Sequence, residues 1–248
     1  MTNFLSLPRE LRDQIYGLCL LREEPFDPWM GYDLRQELTI GLFRVSKTVH
    51  HETSSLFYTL NHFDFSTATP GEIALFITAI GTHSNYIRHI HINFPQFLHL
   101  EPGNVTLEDS HIGILANIQS GCTNLSTVTT SLWSSNAMEL KLDALDYPKI
   151  VNEALKLADS HFRGIPSLQE IIVELYEDGP NDHIRRQMKS YGWTIRTTEN
   201  VEEEEWDRNW SDAGFDDDYD DDYYHDSGDD YDPYEFDNDS DFWRRAGD

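Results

Sequence analysis

The sequence predicts an α/β fold in three parts. A helical module spans residues 1–65, an α/β domain of alternating helices and strands spans 66–200, and a disordered acidic tail spans 201–248. Three observations carry this. Apolar residues recur at helical spacing through the first sixty positions. Three strand-like runs then alternate with helical stretches, the pattern of a parallel sheet in βα units. Finally, of the formal charge of -27, a net -18 falls on residues 201–248 and only -9 on the 200 before them.

The opening stretch from Phe4 to Leu20 reads as a proline-started helix. Ser6 is the expected N-cap and Pro8 sits in the first turn, where its missing N–H costs little. Leu7, Leu11, Ile15 and Leu18 follow at spacings of four, four and three, so they share one face. Arg22 to Thr39, with Pro25 and Pro28, reads as a long loop or irregular hairpin. A second helix is expected from about Ile40 to Leu60, and Asn61 to Phe65 as a short strand with Phe63 and Phe65 on one side. Two helices enclose little core, so this module must lean on the α/β domain or on a partner.

In the second part, Pro70-Gly71-Glu72 starts a helix that ends near Gly81. The strand-like runs are Ile87–Phe94, Leu125–Trp133 and Leu168–Tyr176, with a short fourth strand over Trp193–Thr197. Helical stretches over roughly Ser110–Ser120 and Pro148–Phe162 separate them. The Leu-x-x-Ile/Val-x-x-x-Leu signature at strand starts 38 and 43 residues apart suggests an irregular leucine-rich-repeat-like βα arc, wider in period than an ideal repeat.

The tail combines carboxylates with interspersed aromatic residues such as Trp206, Trp210, Tyr223 and Trp243. Like-charge repulsion and scarce aliphatic side chains keep such a segment unfolded. Acidic–aromatic alternation also fits a recruitment segment that holds sticky rings in water until a partner binds.

Composition narrows the function. A mildly acidic body argues against nucleic acid on the folded part, because phosphate binding needs a cationic surface. No run approaches the roughly 18 apolar residues of a membrane span, so no membrane contact is expected. Cys19 and Cys122 in apolar surroundings point to a reducing compartment, hence a cytoplasmic or nuclear location. No catalytic motif stands out: there is no glycine-rich phosphate loop, no His-Glu-x-x-His and no Gly-x-Ser-x-Gly. His89 and His91 share a strand face, but no nearby acidic pair in the sequence completes a metal site. Adjacent His50 and His51 diverge by about 100° on a helix. Asp178-Gly179-Pro180-Asn181-Asp182 reads as a turn, and Cys122 as a core thiol. The expectation is a non-enzymatic protein without metal or cofactor.

The N-terminal motifs carry a resemblance. Leu7-Pro8-x-Glu10-Leu11-x-x-x-Ile15, followed by Leu42-Phe43-Arg44-Val45-Ser46-Lys47, resembles the F-box. More closely, the Leu7-Pro8-x-Glu10-Leu11-Arg12-x-x-Ile15-Tyr16 opening paired with Glu52-Thr53-Ser54-Ser55-Leu56-Phe57-Tyr58-x-x-Asn61-x-Phe63-x-Phe65 looks like a large F-box-like family of filamentous fungi. The resemblance covers roughly residues 4 to 65. It implies an adaptor that docks on the Skp-type linker of a cullin–RING ubiquitin ligase while the C-terminal part holds a protein substrate. Carried over by position, Leu7, Pro8, Leu11 and Ile15 would supply the apolar contact, supported by Val45. The loop between the two helices is longer than an F-box normally has. The alternative reading is a stand-alone binding scaffold whose stripe packs internally, with the acidic tail as the recruitment segment.

Overall fold

The computed structural model describes residues 4–29, 38–132, 148–176 and 180–198. The acidic tail and Trp133 lie outside these residues, as do Asp178 and Gly179 of the expected turn. Among the described residues there are six α-helices and seven strands: α1 (Arg9–Leu20), α2 (Lys47–Leu60), β1 (His62–Asp64), α3 (Pro70–Ile80), β2 (His89–Asn93), β3 (Phe97–Glu101), β4 (Asn104–Leu107), α4 (Asp109–Gly121), β5 (Thr127–Ser131), α5 (Pro148–Arg163), β6 (Glu170–Tyr176), α6 (Asp182–Ser190) and β7 (Thr194–Thr198).

Five strands form one parallel sheet in the order β1-β2-β5-β6-β7, and β3 and β4 pair as a separate antiparallel hairpin. The order advances in a single direction. With right-handed crossovers, that places every connecting helix on the same face of the sheet. In keeping with this, α3, α4, α5 and α6 touch one another in sequence.

Strand burial follows from that arrangement. Phe63, Ile90, Ile92, Val128, Ile171, Val173 and Leu175 turn toward the helices and are buried. Residues of opposite parity carry polar side chains: His62, Asp64, His89, His91, Asn93, Thr127, Thr129, Glu170, Glu174 and Arg196. Most parallel sheets are covered on both faces and read as continuous apolar runs. Here only β6, with Ile171, Ile172 and Val173 all buried, approaches that pattern.

One core runs through the described chain, from Tyr16 and Leu20 through Phe57 and Phe63 to Phe162 and Met188. The N-terminal helices join it through an aromatic cluster in which Phe26, Phe57 and Phe63 meet edge-on at centroid distances of 5.5–5.9 Å. Phe26 also adds a parallel bridge to β1: its N–H donates to His62 O at 2.7 Å, and its carbonyl accepts from Asp64 N–H at 2.8 Å. That contact occupies the outer edge of β1.

Helix starts follow their local chemistry. α3 opens with a reciprocal capping box, Thr69 accepting from Glu72 N–H and Glu72 accepting from Thr69 N–H, with Pro70 in the first turn. α4 lies close against α3: a Cβ on Gly121 would meet Ile77 at 2.6 Å, so only glycine fits there without displacing that side chain. At the hairpin tip, Gly103 adopts φ 75°, the left-handed conformation that favours glycine.

Two expected elements are corrected. Ser6 does not cap α1: Phe4–Ser6 form a 3-10 turn, and Pro8 occupies the cap position without any side-chain hydrogen bond. The expected helix over Ile40–Leu60 is divided. Ile40–Arg44 is a 3-10 turn, and α2 begins at Lys47 because Ser46 Oγ accepts the Val49 N–H and fixes the start there.

Candidate functional site

Two surfaces qualify, one on α1 and one on the polar face of the sheet. α1 packs on α2 through a polar clamp beside the buried Tyr16 and Leu20. The Arg12 guanidinium forks onto the Glu52 carboxylate, with Arg12 Nε donating to Glu52 Oε2 at 2.9 Å. Tyr16 Oη donates to the same oxygen at 3.0 Å, and Arg9 Nη1 lies 3.2 Å from Glu52 Oε1. Glu52 is buried, so leaving its charge unpaired would be costly. The hydrogen bond from Arg12 holds its carboxyl below the usual range, against the opposing effect of burial. Burial, reinforced by Glu52, pushes the Tyr16 hydroxyl up to about 12.

The same arginine anchors the chain before the helix, since Arg12 Nη1 donates to Leu7 O at 2.6 Å. At the other end, Asn61 Nδ2 donates to Leu20 O and to Phe57 O, both at 3.0 Å, and Asn61 Oδ1 accepts from Arg22 N–H at 3.0 Å. α1 and α2 therefore run side by side in the same direction, with Leu7, Pro8 and Val45 near their starting ends.

With Arg12, Tyr16 and Leu20 turned inward, the leucine stripe faces out. Leu11 is 45 % exposed, Ile15 38 % and Leu18 89 %, while Leu7 is half-buried and Pro8 exposed. Val45, at the break before α2, is 65 % exposed. Leu18 is the most exposed large apolar residue on α1.

On the sheet, register brings together residues from four strands. Asp64 pairs with His91, Asn93 with Ser131, and Ser131 with Glu174. His91 Nδ1 lies 3.4 Å from Asp64 Oδ1, and His91 Nε2 lies 3.2 Å from Ser131 Oγ and 3.9 Å from Glu174 Oε2. Asp64 and Glu174, contributed by other strands, thus flank His91. Burial is the largest influence on Asp64 and opposes ionisation, but hydrogen bonds from His91 and Ser66 outweigh it and hold the carboxyl low. Nearby, the His62 and His89 rings stack with centroids 4.7 Å apart.

The sequence Asp64–His91–Ser131 has the atom order of a hydrolytic triad. Ser131, however, is only 1 % exposed. Its neighbouring amides are spent in the ladder, Phe94 N–H donating to Ser131 O and Leu132 N–H to Glu174 O, so neither can serve as an oxyanion donor. The array ties strand ends together. Among the described residues, no group of three His, Cys, Asp or Glu side chains is placed to hold a metal. Cys122 is a buried core thiol, which burial pushes up to about 12.

No described helix is long and apolar enough to cross a membrane. Set beside protein-family models, curated proteins and solved structures, the chain matches none of them.

Proposed function

We propose that this protein is a non-enzymatic adaptor whose N-terminal helices dock on the Skp-type linker of a cullin–RING ubiquitin ligase, and whose sheet domain holds a protein substrate. The observation that carries the reading is the outward face of α1. An amphipathic helix normally buries its apolar face. Here the inward contact is built from Arg12, Tyr16, Leu20 and Glu52, leaving Leu11, Ile15 and Leu18 exposed with Pro8 and Val45. An exposed helical stripe at i, i+4 and i+7 spacing suits helix-in-groove recognition. Its exposure also weighs against the scaffold alternative, which needs the same residues inside the domain.

The sheet domain supports the second half of the reading. A strand order advancing one way, with successive helices touching in turn, fits the reading of the sheet domain as a repeat-like receptor arc.

The test is capture of a Skp-type linker by the full chain, with Leu11→Asp as the probe. We expect wild type to retain the linker, and Leu11→Asp to lose it while keeping an unchanged circular dichroism spectrum and melting temperature. A wild-type chain that recovers no linker at native expression overturns the proposal. A Leu11→Asp chain that loses its fold would instead favour the scaffold.

A further inference from the structure

We propose that Arg12 and His50 are positioning residues of the linker-docking edge. Each reaches back from inside its helix to a carbonyl in the chain just before it, Arg12 to Leu7 and His50 to Phe43. The inference rests on the adaptor reading, because the two stretches held in this way carry Leu7, Pro8 and Val45.

The start of α1 shows why such a hold matters. Pro8 stands at the cap position without a side-chain hydrogen bond, whereas Thr69 and Asn181 cap α3 and α6 with their own side chains. Leu5, Ser6 and Pro8 are exposed, so packing does little to fix them. The Phe4 ring, 5.7 Å from that of Tyr16, gives this stretch an apolar anchor. Arg12 supplies a polar one. Its Nη1 donates to Leu7 O at 2.6 Å and to Leu5 O at 3.4 Å, while Nε and Nη2 stay on Glu52 of α2. One planar group thus joins the chain before α1 to the neighbouring helix. Lysine cannot copy this, because its donors radiate from a single nitrogen.

α2 repeats the device. Phe43-Arg44-Val45 precede it, with Arg44 and Val45 exposed. A carbonyl only accepts, so His50 Nδ1, 2.9 Å from Phe43 O, carries the hydrogen and donates it. The His50 ring also meets the Phe43 ring edge-on at 6.3 Å. Since α1 and α2 start at the same end of the module, the two held stretches form one edge. A partner then meets Leu7, Pro8 and Val45 already ordered, and binding is spared the entropy of fixing them.

The experiment measures linker affinity, melting temperature and amide hydrogen exchange on the full chain and three variants. Arg12→Lys keeps a positive charge beside Glu52 but loses the fork. His50→Phe keeps a ring against Phe43 but loses the N–H. Phe162→Leu weakens the core at α5 and leaves both hydrogen bonds untouched, so it reports what destabilisation alone does. We expect linker binding about three- to tenfold weaker in each of the first two, the loss of one hydrogen bond. Phe162→Leu should melt earlier yet bind linker as wild type does. Without linker, exchange should quicken at the Leu7 N–H, bonded to Phe4 O, in Arg12→Lys. In His50→Phe it should quicken at the Val45 N–H, bonded to Leu42 O. Wild-type affinity in both variants, unchanged exchange at both amides, or an equal loss of binding in Phe162→Leu would each overturn the proposal. The adaptor reading fails differently: wild type itself would capture no linker, and the docking role of both side chains would fall with it.

Discussion

Helices α1 and α5 carry comparable apolar stripes and use them in opposite ways. In α5, Ile150, Val151, Ala154, Leu155, Ala158 and Phe162 are all buried, because the helix lies between α4 and α6 with the β3–β4 hairpin against it. In α1 only Tyr16 and Leu20 are buried, and the leucines look outward. Helical periodicity identifies a face. What the face meets is decided by neighbours far along the chain, here Glu52 drawing Arg12 and Tyr16 inward.

The contrast breaks most visibly at Phe162. Truncation to alanine should cost about 3–5 kcal/mol by denaturant unfolding, the range for a fully buried aromatic; Phe162→Leu should cost much less. An effect under about 1 kcal/mol would mean that α5 is not core.

Next in size is the clamp. Glu52→Gln should lower the melting temperature clearly, though by less than Phe162→Ala, since it unpairs Arg12 in a partly buried site. Arg12→Ala should act in the same direction. The double variant should fall short of the sum of the two, because both remove one interaction. Strict additivity would count against the clamp as what orients α1.

Acid should act more gently and on both regions. Burial lowers His62, His83, His89 and His111, so the unfolded chain takes up protons first, below about pH 6.5, and stability falls from there as pH drops. Glu52, held low by Arg12, and Glu72, held low by the Thr69 N–H, favour the fold while ionised; their contribution fades below about pH 4.5. Both sets have the same sign. Thermal melts should therefore show a plateau above about pH 7 and a decline below it, and His89→Gln should flatten the upper part of that decline. Melting temperatures that rise from about pH 7 down to about pH 5.5 would contradict this account.

The smallest expected effect sharpens the contrast most. Leu18→Gln should change stability by less than about 0.5 kcal/mol, as for a surface site, yet reduce linker capture. A large destabilisation would place Leu18 in a core after all.

Much of this architecture is legible in the sequence. Thr69-Pro70-x-Glu72 announces α3, and the strands fall within two residues of the expected runs because apolar and polar residues alternate there. α6 escapes such a reading: Asp182–Ser190 offers only Ile184 and Met188 to the core, too thin a stripe to stand out, although Asn181 accepts from the His183 and Ile184 N–H groups as a helix start would require. The β3–β4 hairpin escapes it as well, with Pro102-Gly103 its one readable signal. Spacing names the α1 residues but not their outward orientation. The sheet cluster is out of reach altogether, since Asp64, His91, Ser131 and Glu174 lie on four separate strands and meet only through register.

The two ends of the sheet are not equivalent. Phe26 closes the β1 edge, whereas among the described residues β7 has no neighbour beyond it and shows exposed Thr194, Arg196 and Thr198. An edge strand presents unpaired N–H and C=O groups to one side, so the β1 end is closed within the chain while the β7 edge relies on its own side chains. The charged Arg196 guards the same edge against pairing with another molecule's strand.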